Sequence, residues 1–253
     1  MMKLLTSWTN LQSFLLTRAA AKFLRPPIRL HDFKNIHSHE AIIICGCGVS
    51  AREFDKPDFA RTIGVNDFGR RFDPDYLLVI DAKKKFPPDR YRYIENSRAL
   101  FVFSDHRHRL EHSRLVHLPL QKSAQPKLDN PNALYAIGKP ITSPFIAVAL
   151  AAHMGARLIG MIGVDFTKNH FFDESGLHIL TPQLEGIDKR FSLLSAALSC
   201  QGVDFYNLSK ASALCSVPKM SMDEFVHSAR ALQSPLQHSR SLEWNPASLR
   251  YFA

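Results

Sequence analysis

Ala41-Ile-Ile-Ile-Cys-Gly-Cys-Gly-Val-Ser50 is the stretch that decides the fold. A continuous apolar run ending in glycines is the pattern of a parallel strand buried on both faces, whereas a half-exposed strand would alternate. The glycines allow a sharp turn, and Ser50 with Glu53 three residues later reads as the start of a helix. A strand, a glycine loop and a helix in that order put free N–H groups where a phosphate would sit. Gly46, Cys47, Gly48 and Ser50 are therefore the first candidate anion-binding residues. The loop lacks the GK[ST] ending of a Walker motif. Arg52 and Glu53 stand where a dinucleotide fingerprint would carry its third glycine, which argues against hydride transfer.

Further strands are expected at residues 62–66, 76–80 and 99–103, each followed by a polar residue: Asn66 and Asp67, Asp81, then Ser104 and Asp105. In open parallel sheets, ligands meet the carboxyl ends of the strands, so these positions gain weight. Residues 141–154 read as a helix, capped by Thr142 or Ser143 with Pro144 just inside. A buried strand follows at 157–163, with Asp165 at its exit. A helix at 188–201, a strand at 202–208 and a short helix from Ser221 complete the pattern. The fold class is α/β: a Rossmann-like parallel sheet flanked by helices, with an inserted lid or loop region.

Around this domain, residues 39–232, lie a basic amphipathic segment at 1–38 and a polar tail at 233–253. Lid segments are expected near 121–140, which is rich in Pro and Asn, and near 167–186. The N-terminal segment has no Asp or Glu before Asp32, and its apolar run is broken by Thr6, Ser7, Thr9, Asn10, Gln12 and Ser13. It is too polar to span a membrane, which takes about 20 apolar residues, and it makes a poor signal peptide. Leu4, Trp8 and Leu11 recur at helical spacing, so the segment either packs on the domain or makes peripheral contact with a membrane surface through residues 1–30. The expected location is cytoplasmic, at the inner face of the membrane in the second case.

With 32 Lys+Arg against 23 Asp+Glu the chain favours anionic partners, but it has no zinc-finger spacing or RNA-binding aromatic motif, and nucleic acid is not expected. Its four cysteines form no CxxC pair and read as reduced thiols. Lysines and arginines crowd residues 83–114 and read either as solvated faces or as an electropositive rim.

Asn66 and Asp67 would read a base or sugar, or cap a helix. Thr142 and Ser143 form a second anion site at a helix N-terminus. Asp165 would orient a ligand or order a loop, and His170 and His178 follow it as groups able to exchange a proton near neutral pH. Asp73-Pro-Asp75 has metal–diphosphate spacing, but it precedes a strand and reads as a turn.

Residues 42–50, Gly64-Val-Asn66, Ile141-Thr-Ser143, residues 157–166 and residues 206–214 together resemble the bacterial CMP-sialic-acid-dependent sialyltransferases that modify lipooligosaccharide. A more distant similarity runs to pterin pyrophosphokinase-like proteins. The resemblance covers about residues 41–230 and implies a Rossmann-like domain with a lid, often membrane-associated, that uses no catalytic metal. It implies a glycosyltransferase in lipopolysaccharide biosynthesis, moving an acidic keto-sugar of sialic acid or Kdo type from a CMP-activated donor to a lipid-linked saccharide. Gly46, Gly48 and Ser50 would hold the donor phosphate region, Asn66 would touch the donor, Thr142 and Ser143 the nucleotide, and Asp165 would support the pocket. His178 is the first candidate base and His170 the second, while Tyr135 would hydrogen-bond the leaving phosphate or simply pack. The family loop is Gly-Asn-Gly-Pro-Ser, and here Cys47 and Val49 depart from it. No cofactor is implied beyond the CMP-sugar substrate. Mg²⁺ enters only under the alternative of a pyrophosphokinase using a nucleoside triphosphate, held by Asp81 and Asp165, and a non-catalytic nucleotide-binding protein is the third reading.

Overall fold

The computed structural model describes residues 28–233 except 109, 119 and 121–141. Tyr135, the segment 121–140, most of the N-terminal segment and the tail after Gln233 lie outside the described residues. The strands are β1 (Ala41–Cys45), β2 (Arg61–Val65), β3 (Tyr76–Val79), β4 (Phe101–Asp105), β5 (Leu115–Leu118), β6 (Leu158–Ile162), β7 (Lys168–His170), β8 (Asp173–Leu177) and β9 (Asp204–Asn207). The α-helices are α1 (Pro88–Glu95), α2 (Ser143–His153), α3 (Leu184–Cys200) and α4 (Met222–Leu232).

Seven strands form one sheet in the order β5-β4-β3-β2-β1-β6-β9, and every pairing in it is parallel. All five β1 residues are buried, as the unbroken apolar run requires. Ile42 and Ile44 turn to the face covered by α2 and α3, where Phe145, Phe191 and Leu194 pack. Ala41, Ile43 and Cys45 turn to the opposite face, against Phe225 of α4, and further along that side Tyr91 and Ile94 of α1 meet Leu77 and Val102. Phe33, ahead of β1, is buried with its ring 5.0 Å from Phe101 and 4.9 Å from Phe103, so residues from Ile28 onward pack with the domain.

The chain leaves β1 toward β2 on one side and returns through β6 on the other. The point where strand order reverses therefore lies between the carboxyl ends of β1 and β6, the place where such sheets receive ligands. Helix α2 begins at Thr142, whose hydroxyl accepts the Phe145 N–H, and Ser221 and Glu224 form a capping box on α4.

The helix expected after β1 is absent. Only a single 3₁₀ turn, Val49–Ala51, follows the loop. The amide and hydroxyl of Ser50 are both committed to Asp165, and that tertiary pairing replaces the local capping role read from the sequence. Four elements were not anticipated: α1, the edge strand β5 and the two strands of the antiparallel pair β7–β8.

A Cβ on Gly46 would clash with the Gly163 carbonyl, and one on Gly163, at φ 70°, would clash with the Gly46 carbonyl. Gly46→Ala and Gly163→Ala are each expected to lower the unfolding free energy by about 3 kcal/mol, from overpacking and, at Gly163, backbone strain. Gly186, in the first turn of α3 with open space around it, is the contrast: Gly186→Ala should raise stability by about 0.5–1 kcal/mol. Urea unfolding of the three variants measures this, and equal effects at 46, 163 and 186 would contradict it.

Candidate functional site

The site is built where β1 and β6 end. Gly46 N–H donates to Ile162 O at 2.8 Å and Gly48 N–H to Gly163 O at 2.7 Å. The Ser50 hydroxyl donates to Asp165 Oδ1 at 2.7 Å and accepts from Gly163 N at 2.8 Å, while Ser50 N donates to Asp165 Oδ2 at 2.9 Å. Three amides expected to be free for a phosphate, those of Gly46, Gly48 and Ser50, are thus already spent within the protein. The glycines are small so that two strand exits can touch. Asp165 is 2% exposed, and it acts here by fixing the loop.

Asn66, just past β2, lies in the left-handed region, at φ 55°, a conformation asparagine tolerates. Its side-chain oxygen accepts from the Ser143 hydroxyl at 3.2 Å. The exit of β2 and the first residue of α2 are thereby joined beside the β1 loop, which brings Asn66, Thr142 and Ser143 together as the sequence suggested. Thr142 and Ser143 are both buried, and the Thr142 hydroxyl serves as the helix cap.

Asp67 is fully buried and belongs to a cluster the sequence did not reveal. Its carboxylate accepts from Arg90 Nε at 2.9 Å and Nη2 at 2.5 Å, and from Arg70 Nε at 3.1 Å. The Cys47 thiol lies 3.8 Å from Asp67 Oδ1, and its pKa is pushed well up, by burial first and then by the Asp67 charge, so it stays a neutral thiol. Arg90 was read only as one charge in a basic stretch, and Arg70 was not singled out. Neither carries a local signal, because their meeting at Asp67 depends on how α1 docks on the turn after β2.

The β7–β8 pair lies over this arrangement. Phe171 N–H donates to Cys47 O at 2.9 Å, and His170 bridges to Gly48 in antiparallel fashion. The His170 ring stacks on Phe172 at 5.1 Å, and Nδ1 lies 2.5 Å from the Ser175 hydroxyl. His178 packs edge-on against Phe166 at 5.1 Å, and its Nδ1 accepts from the Leu180 N–H at 3.2 Å. Burial lowers the pKa of both histidines. For His170 the Arg90 and His178 charges add to the lowering, and Asp67 and Asp173 oppose it.

The carboxylates of the metal-dependent alternative are otherwise engaged: both Asp165 oxygens meet Ser50, and Asp81 Oδ1 meets Lys85 Nζ at 2.9 Å. Among the described residues no group of three or more His, Cys, Asp or Glu side chains is arranged to hold a metal ion. Asp75 accepts from the amide and hydroxyl of Thr62, and Asp73 from Arg98 N, which fits their reading as a turn. A concavity of about 570 Å³ along α4, between Lys219 and Ser228, shares no residue with the crevice. No helix among the described residues is long and apolar enough to cross a membrane.

No protein-family model matches the chain, and no curated protein sequence is significantly similar to it. Solved structures with a similar layout include the sialyltransferase CstII from Campylobacter jejuni in complex with CMP-3FNeuAc, at 14% identity and a TM-score of 0.48 over 84% of this chain and 98% of that one. The monofunctional α-2,3-sialyltransferase Cst-I from the same organism is similar at 13% identity and a TM-score of 0.42, over 84% and 92%. A third is the MAf glycosyltransferase from Magnetospirillum magneticum AMB-1, at 14% identity and 0.46, over 86% of this chain and 45% of that one. The functional reading therefore rests on the geometry of this chain.

Because the folded pKa of His170 and His178 lies below that of the free imidazole, the unfolded chain takes up protons first as pH falls. Their contribution makes stability fall as pH drops below about 6.5, the unfolded histidine value, and leaves it flat above. His153, also lowered by burial, adds to the same slope. Urea unfolding between pH 5.5 and 7.5 should show the decline, and the double variant H170Q/H178Q should make it shallower, leaving the share of His153. An unchanged slope in that variant would remove both groups from the titration.

Proposed function

We propose that the chain is a glycosyltransferase that moves an acidic keto-sugar from a CMP-activated donor to a lipid-linked saccharide, with the donor seated between the exits of β1 and β6. The observation that carries this reading is the pairing of His170 with Gly48, which holds an imidazole of lowered pKa at the point of strand-order reversal. A group kept neutral near pH 7 in that position is suited to take a proton.

The hydrogen bonds divide the roles of the two histidines. In His178 the Nδ1 lone pair is occupied by the Leu180 N–H, so the neutral ring carries its proton on Nε2 and offers a donor there. In His170 the partner of Nδ1 is a hydroxyl, which can accept, leaving the Nε2 lone pair as a base. The proposed base is therefore His170, and His178 is the donor to the departing phosphate, the reverse of the order read from the sequence. His170 removes the proton of the acceptor hydroxyl as its oxygen bonds to the anomeric carbon. The bond from that carbon to the phosphate oxygen breaks, and CMP leaves with the bonding pair, its charge met by hydrogen-bond donors. Asn66 and Ser143 would orient the nucleotide, and Asp165 would keep the crevice in shape through Ser50. The basic N-terminal segment would keep the enzyme near its lipid-linked acceptor at the inner face of the membrane.

Calorimetry with CMP and with ATP, each with and without Mg²⁺, tests the donor class. Metal-independent binding of CMP is expected, and binding of ATP–Mg²⁺ alone would establish the pyrophosphokinase reading instead. With CMP-sialic acid and CMP-Kdo as donors, His170→Ala should lose roughly 10²–10⁴-fold in turnover with CMP affinity kept. Full turnover in that variant would exclude His170 as the base.

A further inference from the structure

Asp67, Arg70 and Arg90 bring two cations to one buried carboxylate, and the second negative charge of the cluster comes from Asp89 at the surface. The remaining acid in contact, Asp89, pairs with Arg70 Nη2 at 2.6 Å but is 62% exposed, where solvent screens it. Asp67 uses Nε and Nη2 of Arg90 and Nε of Arg70, and Asp89 takes Nη2 of Arg70. Each guanidinium therefore keeps its Nη1 group without a protein partner among the described residues.

The faces of the two groups are covered. The Phe172 ring lies 4.1 Å from the Arg70 guanidinium carbon and 5.4 Å from that of Arg90, and the Tyr93 ring lies 4.7 Å from Arg70. An aromatic cover blocks approach from above and leaves the in-plane N–H edge, the edge that recognises planar or tetrahedral oxyanions. The cluster sits one residue beyond Asn66 and touches Cys47, within the loop that faces β6. Phe172 follows directly on the residues that pair with Cys47 and Gly48, so the cover and the crevice are made by one hairpin.

Resting on the CMP-sugar reading above, we propose that the Nη1 edges of Arg70 and Arg90 form an oxyanion subsite that reads the negatively charged group of the donor. Asp67 is the positioning residue that holds the two guanidinium groups in place. The charged group is either the nucleotide phosphate or the carboxylate of the keto-sugar, which present the same pair of acceptor oxygens to a guanidinium edge.

The test uses the full chain with R70K and R90K, which keep the charge opposite Asp67 but lose the fork. Thermal unfolding first establishes that each variant folds. Calorimetry then compares cytidine, CMP and CMP-sialic acid. Cytidine affinity should not change. A weakening of CMP by roughly 10- to 100-fold identifies the phosphate as the group read. A loss confined to CMP-sialic acid, bringing it down to the affinity of CMP, identifies the carboxylate. Unchanged affinity for all three in folded variants overturns the subsite while leaving the CMP-sugar reading intact. Should wild-type protein bind no cytidine compound, or a variant fail to fold, ¹⁵N guanidinium resonances of Arg70 and Arg90 in the wild type are followed during titration with inorganic phosphate and with free sialic acid. Saturable shifts of both residues support the subsite even without the donor reading, and unmoved resonances overturn it.

Discussion

The backbone contact between the exits of β1 and β6 is the constraint on which the rest depends. Gly46 and Gly163 approach so closely that neither tolerates a side chain, and Gly48 and Ser50 close the seam through Gly163 and Asp165. The bonds are buried or partly so, and losing the Asp165 carboxylate would leave the Ser50 amide and hydroxyl unsatisfied, at a cost of about 1–3 kcal/mol for each group. The crevice is therefore set by the fold before any ligand arrives. With the Gly46, Gly48 and Ser50 amides spent in this way the loop contributes shape, and under the proposed function recognition would fall to the side chains around it.

The same seam explains why β7–β8 lies where it does. The chain leaves β6 through Gly163 and turns at Phe166, which adopts φ 52°. It comes back antiparallel to the β1 loop, so that Phe171 pairs with Cys47 and His170 with Gly48. Histidine placement thus follows from the strand exits and not from a helix. His178, eight residues further on, is anchored to Thr167 by its own backbone N–H, which fixes both rings at the mouth of one short excursion.

Much of this layout was legible because it is local. The apolar runs of β1 and β6, the caps at Thr142 and Ser221, and polar residues just past strand ends are patterns of a few residues each, and the sheet collects them at one edge. Asn66 and Ser143 were placed together for that reason, whereas Ser50 was read as a local cap and its pairing with Asp165 is tertiary. The misses share a different cause. β7 is the polar Lys168-Asn169-His170 and β8 is exposed throughout, so neither offers an apolar period, and only tertiary pairing makes them strands. Helix α1 buries just Tyr91 and Ile94, too short a stripe to stand out among its charges. The phosphate-loop reading of Gly46 and Gly48 failed in its detail because glycine serves close approach of any kind, and here the approaching group is another strand.

Cys47 shows how the sequence and the proposed subsite fit together. Where the resembling family carries asparagine, this chain has a thiol, a weak donor resting 3.6 Å from Val65 O and 3.8 Å from Asp67 Oδ1. The same oxygen accepts from Arg90 Nη2, and the arginines are the strong, charge-assisted donors to this carboxylate. The thiol is held neutral by burial and by Asp67, so it adds no second negative charge beside the carboxylate. Burying Asp67 without the arginines would cost several kcal/mol, so the weak donor at 47 and the strong pair at 70 and 90 are parts of one solution. Under the proposed subsite a guanidinium edge would read the charged group of the ligand, while the glycines on either side of Cys47 let the strand exits meet.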